Sequence, residues 1–183
     1  MAELHTERLR LRRWLPDDRE PFAALNRDPA VVEFLPGPMS RADSDAMVER
    51  IEAHFDRHDF GVWAVEVTSV ASFIGYVGLA IPRFEAAFTP CVEIGWRLAS
   101  AHWGRGYATE AARAALEYGF DQVGLREIVS FTVPQNRPSR RVMERIGMRR
   151  DRTRDFDHPA FAPGHRLRRH VLYCITAAAG SGG

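Results

Sequence analysis

Residues 92–120 constrain the fold of this chain more than any other stretch. An apolar segment from Val92 to Leu98 leads into Trp103-Gly104-Arg105-Gly106-Tyr107-Ala108-Thr109-Glu110, which opens the helical pattern of Ala108 to Phe120. Strand, glycine turn and helix in direct succession require a sheet with a helix laid back across it. A helix opened by glycine has no capping side chain, so its first N–H groups point outward without partners. Such donors form a site for phosphate, reinforced by the helix dipole and by a charge-assisted bond from Arg105. The third glycine of a dinucleotide fingerprint is missing, and a Gly-x-Gly turn also fits a plain tight β-to-α connection.

Around this unit the periodicity predicts the order β-α-α-β-β-β-α-β-α-β. Leu9 and Leu11 alternate with arginines as a strand with one buried face. Pro16-Asp17-Asp18 opens a short helix through Phe22 and Leu25, stopped by Asn26-Arg27-Asp28-Pro29. Ser40 and Asp43 stand at capping-box spacing before Met47, Val48, Ile51 and Phe55, which share one helical face. Gly61 to Val67 and Phe73 to Leu79 read as a hairpin-like pair of strands. In the 92–98 strand, Gly95 suggests a bulge or a close backbone approach. Ala111, Ala112, Ala115, Leu116 and Gly119 give the central helix a small packing face. Ile128 to Val133 reads as a strand, Ser139 to Ile146 as a helix ended by Gly147, residues 150–166 as a loop, and His170 to Thr176 as the last strand. The expected class is mixed α/β (α+β), a single domain over residues 1–176, with a disordered tail from Ala177 to Gly183.

Composition removes several chemistries. A chain of 183 residues with 45% hydrophobic content can bury a core without disulfides or metal. All 25 basic residues are arginine, which excludes lysine Schiff bases and the Walker lysine. Cys91 and Cys174 have no ligand spacing and read as buried free thiols, with no metal site implied. No run reaches the length of a membrane span, and Met1-Ala2-Glu3-Leu4-His5 lacks the pattern of a signal peptide, so the expectation is a cytoplasmic protein without a membrane partner. Residues 1–60 hold 9 Arg against 13 acidic residues, whereas residues 126–170 hold 12 Arg against 5. That asymmetry is either a solvated surface or a division of labour. In the second case the acidic helices, through Asp43, Asp45 and Glu49, would wall a site that favours a cation. The interleaved acids argue against nucleic acid as a partner.

The Glu93-Ile94-Gly95-Trp96-Arg97-Leu98 strand, the glycine turn and the segment from Asn136 to Met148 together closely resemble the GNAT superfamily of N-acetyltransferases. The opening Thr6-Glu7-Arg8-Leu9-Arg10-Leu11-Arg12 and the strand Ile74-Gly75-Tyr76-Val77-Gly78 resemble its RimJ/RimL branch, whose members include ribosomal-protein N-terminal acetyltransferases. The resemblance implies a mostly antiparallel sheet splayed between the 92–98 and 128–133 strands, with helices on both faces. It implies acetyl-CoA as acetyl donor and an amine as acceptor, either a peptide N-terminus or a small molecule.

The same resemblance implies that Gly104, Arg105, Gly106, Tyr107, Ala108 and Thr109 hold the pyrophosphate, that the pantetheine arm runs near Leu98, and that Asn136 bonds the arm. Trp103 departs from the Gln or Arg that usually opens the turn, and no side-chain role is assigned to it. Ser139 lies near the CoA sulfur, where it supplies a proton to the departing thiolate or caps its helix, or both. Glu93 is either the base that takes a proton from the ammonium, directly or through water, or a structural carboxylate paired with an arginine. His158 and His170 are weaker candidates for the base. An acyl-CoA-binding module with little catalysis is the alternative, and an exposed final strand would allow a homodimer.

Overall fold

The computed structural model describes residues 3–177. Among them are nine strands: β1 (Leu4–His5), β2 (Leu9–Arg12), β3 (Val62–Val67), β4 (Ala71–Ala80), β5 (Glu93–Leu98), β6 (Glu127–Thr132), β7 (Arg149–Arg150), β8 (Phe156–Asp157) and β9 (Arg169–Thr176). The α-helices are α1 (Arg19–Leu25), α2 (Pro29–Val32), α3 (Arg41–His58), α4 (Tyr107–Asp121) and α5 (Arg137–Arg145). The strands lie in the order β1-β2-β3-β4-β5-β6-β9-β7, with β8 on β9. Every neighbouring pair is antiparallel except β5 and β6.

Period-two alternation gives the sheet two apolar faces, and each is covered. On one face α4 lies close because its contact residues are small: a Cβ on Gly119 would come within 2.9 Å of Cδ1 of both Ile128 and Leu79. Ile94 and Ile128 complete that layer and are fully buried. On the other face Phe22 of α1 meets Trp14 at 4.8 Å between ring centroids and Tyr76 at 6.0 Å. The second arginine of the alternating β2 pattern therefore does not reach solvent. Arg12 lies beneath the α1 entry with 3% of its surface exposed, bonded through Nη1 and Nη2 to the Asp18 carboxylate at 2.7 and 2.9 Å.

The sheet opens where β5 meets β6. Glu93 and Val129 are their one registered pair, and the Ser130 hydroxyl donates to the Ile94 carbonyl at 2.9 Å just beyond it. From Trp96 onward β5 stays paired with β4 but has no partner in β6. The backbone groups on that side of β5 thus face a wedge, as the resemblance implied.

Five local expectations change. The short helix stops after Leu25 as expected, but Pro29 then opens a further helix, α2, because the Asp28 carboxylate accepts from Ala30 N–H at 2.9 Å and proline suits the first helical turn. The helix expected from Ser139 begins two residues earlier, capped by Asn136, with Pro138 in its first turn. Gly95 forms no bulge: its pairing with Gly78 is in register, and a Cβ there would meet no atom within 4 Å. The final strand is not an edge, since β9 is paired with β6 and with β7, which removes the stated ground for a strand-paired homodimer. Short strands β7 and β8 also occupy the stretch expected to begin the last loop. Of the tail, residues 178–183 lie outside the described residues, while Ala177 N–H donates to the Arg126 carbonyl at 3.0 Å.

Candidate active site

The turn between β5 and α4 has the geometry that its glycines require. Gly104 and Gly106 have φ of 74° and 84°, in the left-handed region that L side chains rarely adopt, and no atom lies within 4 Å of the position of a Gly104 Cβ. Gly106 occupies the N-cap position of α4 without a side-chain cap, and the first backbone bond of that end is Glu110 N–H to the Gly106 carbonyl at 3.0 Å. The N–H groups of Tyr107, Ala108 and Thr109 are therefore left without helical acceptors at the positive end of a 15-residue helix.

A latch from the N-terminus fixes this turn from behind. The Glu110 carboxylate accepts from the Thr6 hydroxyl at 2.6 Å, from Arg8 N–H at 3.0 Å and from Arg8 Nε at 2.7 Å. Arg8 Nη1 then donates to the Arg105 carbonyl at 3.1 Å, while its guanidinium carbon sits 4.8 Å from the Tyr107 ring centroid. Burial alone would raise the Glu110 carboxyl, but the bonds from Thr6 and Arg8 outweigh it and hold the group ionised below its ordinary range. The carboxylate nearest the helix N-terminus is thereby occupied, and the outward N–H groups remain available to an anion.

From the turn a cavity of about 480 Å³ runs through the wedge. Leu98, Gly104, Gly106, Tyr107, Ala108, Thr109, Asn136 and Ser139 all line it. Arg105 does not; it is exposed, and only its carbonyl is held, by Arg8. At the far end the walls are Ala30, Val31, Phe34 and Leu35, from α2 and the loop after it, with Tyr76 and Arg97 from the sheet. Because side chains alternate along β5, Trp96 and Leu98 belong to the α4 face and Arg97 to the α1 face, so the cavity touches both sides of the sheet.

Asn136 takes the capping role that the sequence suggested for Ser139. Asn136 Oδ1 accepts from Ser139 N–H at 3.2 Å, and Asn136 Nδ2 donates to the Thr132 hydroxyl at 3.0 Å. The amide is thus already engaged within the protein. The Ser139 hydroxyl, by contrast, has no protein partner among the described residues and lies on the cavity wall.

Glu93 stands at the vertex of the wedge, outside the residues that line the cavity. Among the described residues its carboxyl is in no ion pair, and burial pushes it up to about 7. Gly95, the next residue on the same face, leaves open space between Glu93 and Arg97. His158 and His170 lie instead in an aromatic cluster, their rings 5.1 Å apart and 4.5 and 6.1 Å from Phe84 and Phe131 respectively, and burial lowers both.

The proposed acidic wall is absent from the cavity. Asp43 accepts the Ser40 hydroxyl at the start of α3, Asp45 pairs with Arg41 at 2.8 Å, and Glu49 lies 3.9 Å from Arg19. Asp45 and Glu49 are thus paired with arginines and Asp43 with the hydroxyl that caps its own helix, and none of the three lines the cavity. Glu33, which is exposed, is the lone carboxylate among the described lining residues. Sequence reasoning also missed Trp103, whose Nε1 donates to the Leu98 carbonyl at 2.7 Å and whose ring lines the cavity. Its position directly before the glycine turn was the available signal.

The open sheet beside an uncapped glycine turn is the frame of an acetyltransferase domain, and the chain belongs to the acetyltransferase (GNAT) domain family, which matches residues 8–149. Its relatives include YkkB of Bacillus subtilis (strain 168), an uncharacterized protein 32% identical over 155 residues, covering 83% of this chain and 88% of that one. An acetyltransferase structure from Agrobacterium tumefaciens str. C58 superposes with a TM-score of 0.77 at 27% identity, over 97% of this chain and 95% of the other. RimL, a ribosomal alpha-N-protein acetyltransferase in complex with coenzyme A, shares the fold at a TM-score of 0.76 and 15% identity, over 96% and 98% of the two chains. The protein is an acyltransferase of the GNAT type.

Proposed function

We propose that the protein moves the acetyl group of acetyl-CoA to a primary amine by direct attack within a ternary complex. The observation that carries this reading is the single cavity joining the unpaired N–H groups of Tyr107 to Thr109, through the wedge between β5 and β6, to the α2 wall. A donor held by its pyrophosphate at the turn and an amine admitted beside α2 would meet in one space, and such proximity supplies a large part of the rate.

The amine must be neutral to attack. Glu93, near pH 7 in its titration, is suited to take the ammonium proton, and the open space at Gly95 would let a water carry it. The new C–N bond forms as the C–S bond breaks; the attacking nitrogen releases its surplus proton to solvent, and the thiolate takes a proton from the Ser139 hydroxyl, which recovers one from solvent. Asn136 acts in this scheme by fixing the first turn of α5, which sets the position of Ser139. The RimJ/RimL-like motifs of the sequence leave a peptide N-terminus and a small amine as acceptors of the same chemistry.

The test is release of CoA from acetyl-CoA across a panel of peptides, amino acids, polyamines and aminoglycosides, with Glu93→Gln and Ser139→Ala alongside the parent. Amine-dependent release that falls in both variants supports the assignment. Tight CoA binding without turnover on any amine contradicts it.

A further inference from the structure

The far end of the cavity contains a charge that the protein itself leaves unmatched. Arg97 is half-buried on β5 and lines the cavity. Its Nη1 donates to Asn26 Oδ1 at 2.5 Å and approaches Met39 Sδ at 3.7 Å, and its guanidinium carbon lies 5.5 Å from the Tyr76 ring centroid. Asn26 is fully buried and is itself oriented, with Nδ2 donating to the buried Ser44 hydroxyl at 2.9 Å and its carbonyl accepting from Met39 N–H at 3.1 Å. A relay of neutral groups thus fixes the guanidinium while leaving its charge intact.

Several other arginines withdrawn from solvent are met by carboxylates. Arg12 has Asp18, Arg13 has Glu52, and Arg154 has Glu127 at 2.8 Å. Among the described residues no carboxylate lies within ion-pair distance of Arg97, and its Nε and Nη2 have no protein acceptor. A cation withdrawn from water is costly unless an anion and hydrogen bonds meet it, and a planar fork with free N–H groups matches an oxyanion. The donor's pyrophosphate does not fill this role, because its N–H groups lie at the α4 turn while Arg97 belongs to the α1 face beside Ala30, Val31, Phe34 and Leu35.

We infer that the acceptor is a primary amine that also bears a compact oxyanion, a carboxylate or a phosphate, and that Arg97 holds that group. The inference rests on the acetyltransferase reading above and narrows its substrate class. It replaces the cationic acceptor suggested by the acidic first third of the sequence.

The experiment compares matched amines: an amino acid, its amide, the corresponding amine without the carboxyl group, and an aminoalkyl phosphate of similar length. Each is assayed with the parent protein, Arg97→Gln and Arg97→Lys. One charge-assisted pair predicts that the parent favours an anionic member over the neutral ones by about 10- to 100-fold in kcat/KM. The carboxylate and phosphate arms identify which oxyanion is preferred. Arg97→Gln should lose that preference through the KM for the anionic amines, with the KM for acetyl-CoA changing far less, and Arg97→Lys should recover part of the preference. Amine-free carboxylates and inorganic phosphate provide a measurement on the parent alone: at least one should inhibit competitively against the amine. Equal use of neutral and anionic amines, or a preference unchanged in Arg97→Gln, overturns the inference alone. Failure of every amine to be acetylated overturns the transferase reading and this inference with it.

Discussion

Glu93 links stability to chemistry, and replacing it by glutamine exposes the link. Burial raises its carboxyl from the ordinary 4.5 to about 7, so the folded protein keeps a proton there that the unfolded chain releases from about pH 4.5 upward. Between those values the folded state binds more protons than the unfolded one, and stability falls as pH rises. The penalty is complete above pH 7 and amounts to about 3 kcal/mol as an upper bound. Glutamine fills the same space without titrating. In urea unfolding followed from pH 4 to pH 8, Glu93→Gln should therefore gain on the parent across that interval and level off, while its amine-dependent turnover falls. The parent's kcat/KM should rise through about pH 7, because the ionised carboxylate is the form that accepts the proton. A stability difference independent of pH, or one that shrinks as pH rises, would refute the raised carboxyl and with it the basis for assigning Glu93 as base.

Three further outcomes follow from the geometry. Gly106→Ala places a side chain at φ 84°, with Arg8 Nη2 3.4 Å from the new Cβ, and should raise the Kd for CoA by about tenfold in calorimetry, given a strain of about 1–2 kcal/mol. Glu110→Gln weakens the latch to Thr6 and Arg8; because the parent carboxyl is held low, the stability it contributes is present above its unfolded value and lost as pH falls, so the gap between parent and variant should narrow in acid. Asn136→Ala removes the α5 cap and should cost about 1 kcal/mol in urea unfolding. In that last case kcat should fall more than the KM for acetyl-CoA changes, since the cap sets the position of Ser139.

What the sequence revealed was local. The uncapped α4 start, the left-handed Gly147 at φ 90° and the Ser40 cap of α3 depend on residues a few positions apart, and the chain spells them out. Capping was expected at Ser139, three residues after the true cap Asn136; Pro138 belongs to the first turn, which its fixed φ suits, so the helix starts earlier. What stayed hidden depends on residues far apart in sequence. Arg8 and Glu110 meet across 102 residues, and Arg97 finds Asn26 across 71. Neither partner can be named from periodicity, which assigns a face but not a neighbour. The final strand looked like an edge because it is last in sequence, yet β7 returns to pair beside it. The acidic helices looked like a substrate wall because composition does not show that Arg19 and Arg41 already match them.

The central claim is that donor and amine occupy one cavity together. Initial rates of CoA release measured over a grid of acetyl-CoA and amine concentrations test it most directly. The cavity through the wedge predicts intersecting double-reciprocal lines and no acetyl adduct on the intact protein by mass spectrometry. Parallel lines, with acetyl label retained on Cys91, Cys174 or any other side chain, would contradict it.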